Sequence, residues 1–254
     1  PKNYKAPVTD SDNWPRMVQL AWQLHDNSGK LLQAKNYIVK PDGFDIPIGV
    51  SKTHGITTER AERDGHDLKL VLEELKKDLE LTNYNVGHNI EFDVNIVGAE
   101  FFRIDNEINE KFHGLATIDT MKTSVDFCAI PGGRGGGFKY PSLTDLHKKL
   151  FDKGFGDAHD AAYDVDATAR CFFGLVKNFV IEPSEITDVE GLVYEAPELE
   201  EANFEEFKQE KSDAAATIKT GTNVSAELKD VPFTHLHNHT EFSILQSTTK
   251  VSGL

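Results

Sequence analysis

Apolar positions along the chain follow two rhythms. From Val165 they recur at Val165, Ala169, Phe172, Val176 and Phe179, the spacing of one face of a helix. Leu68, Val71, Leu72, Leu75 and Leu79 make a second helical stripe, predicting a helix near 67–80. Phe92, Ile96 and Ala99 predict a third over 89–103, and Leu143, Leu146 and Leu150 a shorter one over 142–151. Between them lie runs of strand character at Val18–Leu24 and Leu32–Val39, joined by the turn residues Asn27, Ser28 and Gly29. A short strand is expected at 84–88. Near the far end, residues 231–243 alternate with period two, which places His235, His237 and His239 on one face of a strand. Strands alternating with helices over the first 180 residues predict an α/β unit.

Two helix starts carry the chemistry. Asp160 reads as the N-cap of the last helix, with His159 in the entering loop and Asp164 inside. His159 and Asp164 are separated by about 500° of helical rotation, so both cannot sit on one helical face. Asp164 aligns with Thr168 and Cys171 beside the apolar stripe. Asp166 aligns with Arg170 and Lys177 and is expected to face solvent. In the upstream segment Asn89 reads as a cap, and Asp93 borders Phe92 and Ile96. His88 is expected to satisfy backbone groups at the turn. A carboxylate beside a core needs a partner, because burying an unpaired charge is costly. Two such carboxylates at matching positions therefore point to a shared site.

The net charge of −15 disfavours a nucleic-acid partner until it is divided along the chain. Residues 1–180 hold 22 Lys and Arg against 27 acids, whereas residues 182–213 hold 2 Lys against 12 acids. That second segment is expected to be a solvated tether between domains. Its Leu192, Tyr194, Phe204 and Phe207 leave a docking peptide open. The glycine-rich run 131–137 is expected to be a flexible loop. It lacks the Lys-Ser/Thr ending of a phosphate loop, and Arg134 and Lys139 are its cations, for a DNA backbone or for solvent. Two cysteines make no disulfide framework, and no apolar run reaches membrane-spanning length. The expectation is a cytoplasmic protein with no membrane partner.

The segment Val86-Gly87-His88-Asn89-Ile90-Glu91-Phe92-Asp93 resembles the second motif of DnaQ-like 3′→5′ exonucleases. His159-Asp160-Ala161-Ala162-Tyr163-Asp164 resembles their third motif, in the variant with histidine as base. Trp14 to Trp22 resembles the family's second strand, and His54-Gly55-Ile56-Thr57 the loop before its first helix. Thr117-Ile118-Asp119-Thr120 resembles its central strand ending in Asp-Thr. The resemblance covers about residues 1–180. It implies a ribonuclease H-like α/β fold, a mixed sheet flanked by helices. It also implies a metal site of Mg²⁺ or Mn²⁺, two ions, with Asp93 and Asp164 among the ligands. His159 becomes the catalytic base, and His54, Asn89 and Phe92 become substrate-lining residues. The implied substrate is a single-stranded or frayed 3′ end of DNA, shortened one nucleoside 5′-monophosphate at a time.

The same resemblance implies a first motif, Asp-x-Glu on a central strand. No such strand precedes Trp14 here, so the fold is expected to lack its first strand, and residues 1–254 are expected to be inactive by themselves. At the other end, Val231 to Ser243 resembles the opening strand of a PHP domain, with His237 and His239 as its metal candidates and Zn²⁺ as the ion of a complete domain. The expected organisation is an exonuclease domain over 1–180, an acidic linker over 181–230 and the beginning of a PHP domain over 231–254. That order resembles bacterial DNA polymerase III alpha subunits that carry their own proofreading domain. It implies the rest of the polymerase and other replisome subunits as partners. Alternative readings are a related exoribonuclease acting on RNA, a non-enzymatic replisome tether, and a PHP phosphoesterase with an accessory exonuclease portion.

Overall fold

The computed structural model describes residues 1–155, 161–198 and 233–240, the last three by backbone alone. Strands β1 (Met17–His25) and β2 (Leu31–Ile38) form an antiparallel hairpin. Gly29 makes its turn with φ 85°, a left-handed value that glycine adopts without steric cost. Helices α1 (Ile48–His54), α2 (Thr58–Asp64) and α3 (Leu68–Leu79) follow. Asp67 caps α3 by accepting from the backbone of Lys69 and Leu70. Next come β3 (Tyr84–Gly87), α4 (Ile90–Asp105), α5 (Glu110–Gly114), β4 (Ala116–Asp119), α6 (Thr120–Thr123) and α7 (Val125–Cys128). Helix α8 (Leu143–Phe151) begins with a capping box between Ser142 and Asp145, and α9 (Ala161–Lys177) carries the long apolar stripe.

One mixed sheet organises these elements, in the order β2-β1-β5-β3-β4, where β5 is Phe233–Thr240. The histidine-rich strand thus lies between β1 and β3, antiparallel to the first and parallel to the second. Its alternation divides two cores. Leu236 joins Trp22, Leu75, Ile96 and Val97 on the face covered by α3, α4 and α5. Phe233 joins Phe172, Phe173 and Val176 on the face covered by α8 and α9. Every residue of β1 is buried, as a central strand covered on both faces must be. The ribonuclease H-like arrangement expected from the motifs is present, and the central position next to β1 is filled by a strand from the far end of the chain.

Several local expectations are corrected. The helical stripe stops short of Phe179, which is exposed with φ 55°, since α9 ends at Lys177. Asp166 does not face solvent. It is buried, accepts from the Tyr194 hydroxyl at 2.6 Å, and pairs with Arg170 at 2.9 Å. The acidic segment supplies that tyrosine. As far as Glu198 it is docked rather than solvated: Ile186 and Leu192 enter the α8–α9 core, and Val193 and Glu195 donate to the carbonyls of Ser28 and Gly29. Burial of these apolar anchors outweighs the segment's charge. Asn89 does not cap α4 through its side chain. It adopts φ 66°, and its backbone N–H donates to Asp119. β4, matched in sequence to a central strand, lies at the sheet edge among the described residues. Both cysteines are free, and among the described residues no helix is long and apolar enough to cross a membrane.

The placement of β5 predicts an unusual substitution effect. His235 is fully buried among Phe172, Phe173 and His25, and neither of its ring nitrogens has a hydrogen-bond partner among the described residues. His235→Phe is expected to stabilise the protein by about 1–3 kcal/mol, the cost of an unsatisfied buried polar group. Chemical denaturation checks this, and a less stable variant would contradict the strand's burial. A pH dependence follows from His25 and His88, both pushed by burial down to about 4. Their rings bind protons more weakly in the fold than in the unfolded chain. Stability is therefore full above about pH 6.5 and drains as pH falls from there to about 4, by up to about 3 kcal/mol per ring. His25→Phe is expected to show a shallower loss in melting temperature across that window.

Candidate active site

The two motif carboxylates arrive from opposite faces of the sheet. Asp93 lies in the first turn of α4, which leaves β3 through the turn Gly87-His88-Asn89. That turn is tight: a Cβ on Gly87 would meet the Ile90 side chain at 2.5 Å. Asp164 lies in the first turn of α9, brought against β1 where Ala21, Ala161 and Val165 pack together. Small side chains at Ala21 and Ala161 permit that close approach. Both carboxylates are buried, Asp93 to 1% exposure and Asp164 to 7%.

Between them stands His237, opposite Ala21 in the register of β1 and β5. Its Nδ1 lies 3.7 Å from Asp93 Oδ1 and its Nε2 3.5 Å from Asp164 Oδ2. One ring thus stands between the two carboxylates. Nothing in the sequence signalled this contact. His237 reads as part of a different domain, and only the sheet order carries it to Asp93 and Asp164.

Neighbouring residues are occupied in holding the turn. Asp119 Oδ1 accepts from the backbone of Asn89 and Met121 at 3.0 Å and of Lys122 at 3.3 Å, which joins the start of α4 to α6. His88 places Nε2 3.1 Å from the Pro141 carbonyl and Nδ1 3.1 Å from the Thr120 hydroxyl. The carbonyl can only accept, so Nε2 carries the proton and Nδ1 is the ring's acceptor, sharing the one Thr120 hydroxyl proton with the Gly87 carbonyl 3.1 Å away. Burial holds this ring neutral, which fits a structural role. His54 is buried at the end of α1, its Nδ1 accepts from the Ile56 backbone at 3.1 Å, and burial lowers its pKa to about 4. Phe92 is half-buried against the main core, with its ring centroid 6.4 Å from that of Tyr4. His159 lies outside the described residues, as does the side chain of His239.

The donor chemistry can be tested against the expected metal. Buried carboxylates on adjacent helix starts are hard oxygen donors that suit Mg²⁺ or Mn²⁺. Asp93 and Asp164 fit that requirement. Among the described residues a four-carboxylate set for two ions is not assembled, because the strand in the central slot brings His237 rather than an acidic pair. Among the described residues no three His, Cys, Asp or Glu side chains form a group that could hold an ion.

Comparison with known proteins agrees with this geometry. The exonuclease family, RNase_T, matches residues 16–172, and the chain belongs to that family. No curated protein matches the sequence significantly. Among solved structures, Escherichia coli exonuclease I in complex with a dT13 oligonucleotide superposes with a TM-score of 0.54 at 20% identity, covering 68% of this chain and 39% of that one. Its complex with a dA16 oligonucleotide gives 0.51 at 19% identity, over 67% of this chain and 38% of that one. The zinc-bound form of the E. coli exonuclease I complex with single-stranded DNA gives 0.51 at 20%, over 66% and 38%. At such identity the likeness establishes the fold. The chain spans under two-fifths of the length of these proteins.

Ion binding by the two carboxylates can be checked without turnover. Mn²⁺ at about a hundredfold its Kd is expected to stabilise the protein by about 2.7 kcal/mol. The gain should vanish in the Asp93→Asn/Asp164→Asn double variant. An equal thermal shift in the double variant would remove these residues from the metal site.

Proposed function

We propose that this chain is the proofreading exonuclease region of a bacterial replicative DNA polymerase, hydrolysing DNA from the 3′ end. The observation that carries this reading is the convergence of Asp93 and Asp164 on the two nitrogens of one imidazole. Two divalent ions bound at a complete site would activate a water and stabilise the leaving 3′ oxygen. Asp93 and Asp164 would hold them, together with an acidic pair on a strand in the slot now filled by β5. His159, five residues before Asp164 in the sequence, would take the proton from the attacking water. An imidazole titrating near neutrality suits that task. His54, Asn89 and Phe92 would line the terminal nucleotide. Unpaired 3′ ends would be favoured because they cost less to unstack.

Support for the polymerase setting comes from the sequence of β5 and its flanks, which resembles the opening of a PHP domain with His237 and His239 as ligands. The solved relatives bound to oligonucleotides support a DNA substrate over RNA.

The test is degradation of a 3′-mismatched primer with Mn²⁺, using residues 1–254 and a polypeptide that also carries an Asp-x-Glu strand ahead of Pro1. The longer chain is expected to release nucleoside 5′-monophosphates. Asp164→Ala or His159→Ala in the longer chain is expected to lose activity by about a hundredfold or more. Undiminished activity in either variant would overturn the assignment.

A further inference from the structure

The glycine-rich segment is a shaped hairpin rather than a loose loop. Pro131 bridges Phe138, Lys139 donates to the Ile130 carbonyl at 2.9 Å, and Gly133 donates to Gly137 at 2.8 Å. Its tip takes left-handed φ at Gly132, Gly135 and Gly136. A Cβ on Gly133 would meet the Phe138 carbonyl oxygen at 2.1 Å, so the two arms close only around glycine. The base of the hairpin is tied down, because buried Pro141 gives its carbonyl to His88, five residues before Asp93.

The side chains this hairpin displays are not those of an idle turn. Phe138 is 46% exposed and Tyr140 62% exposed, with the cations Arg134 and Lys139 exposed beside them. Residues 130–141 hold no acid, in a chain whose net charge is −15. The nearby acids Glu91 and Asp119 pair with Lys122; Asp145 is engaged by Ser142 and lies in the field of Lys139 and Lys148. Exposed rings alternating with cations offer π-faces for unstacked bases and charge for a backbone. A duplex keeps its base faces stacked internally and could not use the rings.

We infer that the 130–141 hairpin is a binding platform for single-stranded nucleic acid, on which Phe138 and Tyr140 stack bases and Arg134 and Lys139 contact phosphates. It deepens the exonuclease reading and rests on it, since the platform would hold the strand that leads to Asp93 and Asp164.

The experiment measures fluorescence anisotropy of labelled oligothymidylate with residues 1–254, in EDTA so that no hydrolysis occurs. Phe138→Ala/Tyr140→Ala is expected to weaken binding by about tenfold or more with an unchanged salt slope. Arg134→Ala/Lys139→Ala is expected to lower the salt slope by about 1.4. All four side chains are exposed, and circular dichroism confirms folding of the variants. Parental affinity in both variants, or no binding by the parent at low salt, would overturn the platform. A failed exonuclease reading shows separately, as undiminished hydrolysis by Asp164→Ala in the longer chain.

Discussion

The gap between β1 and β3 is the constraint on which the rest of this structure depends. Both strands are covered on either face by helices, so their inward backbone groups have no access to water. Buried N–H and C=O groups need partners, and a strand must therefore lie between them. β5 meets that need by pairing with β1 from Met17 to His25 and with β3 from Tyr84 to Val86. The occupant of the slot also decides what faces Asp93 and Asp164. With β5 in place it is His237, held opposite Ala21 at the point where α9 approaches the sheet.

Burial alone does not single out the candidate site acids, since several other buried carboxylates hold the architecture together. Glu100 accepts from the Met17 backbone at 2.8 Å and pairs with Arg103 at 3.0 Å. Asp78 accepts from Trp22 at 2.8 Å and pairs with Lys35 at 3.1 Å. Asp166 has Tyr194 and Arg170, and Asp119 has three backbone donors. Each of these carboxylates meets donors at hydrogen-bond range, as buried charges must. Asp93 and Asp164, from two different helices, both face the one imidazole of His237, at 3.7 and 3.5 Å.

The docked start of the acidic segment shows the same competition between charge and burial. Net charge in 182–213 argues for solvation, and the argument fails over 182–198 because Ile186, Leu192 and Tyr194 find a prepared surface. Tyr194 is held in place by its hydroxyl bond to Asp166 and by Arg170 over its ring. Burial and the adjacent Asp166 carboxylate raise the pKa of this phenol, so it remains a donor. Two residues of α9 are thereby held by a segment that charge counting would leave in water.

Most helices and the first hairpin were legible in the sequence, because amphipathic stripes such as Leu68 to Leu79 and the Asn27–Gly29 turn are local signals that tertiary packing had no reason to override. The motif positions Asp93 and Asp164 were legible as well, since a carboxylate flanked by core residues near a helix start can be recognised from spacing. Asp166 was misjudged, because helical alignment says which residues share a face but not what will cover it. The position of β5 was beyond reach for a related reason. Period-two alternation identifies a strand and its two faces, while the choice of neighbours depends on backbone hydrogen bonds between segments roughly 150–220 residues apart. The sequence by itself determined most of the elements and the burial of Asp93 and Asp164, through local periodicity. The tertiary structure alone decided that His237 stands between those acids, because strand order is set by which buried backbone groups must be paired.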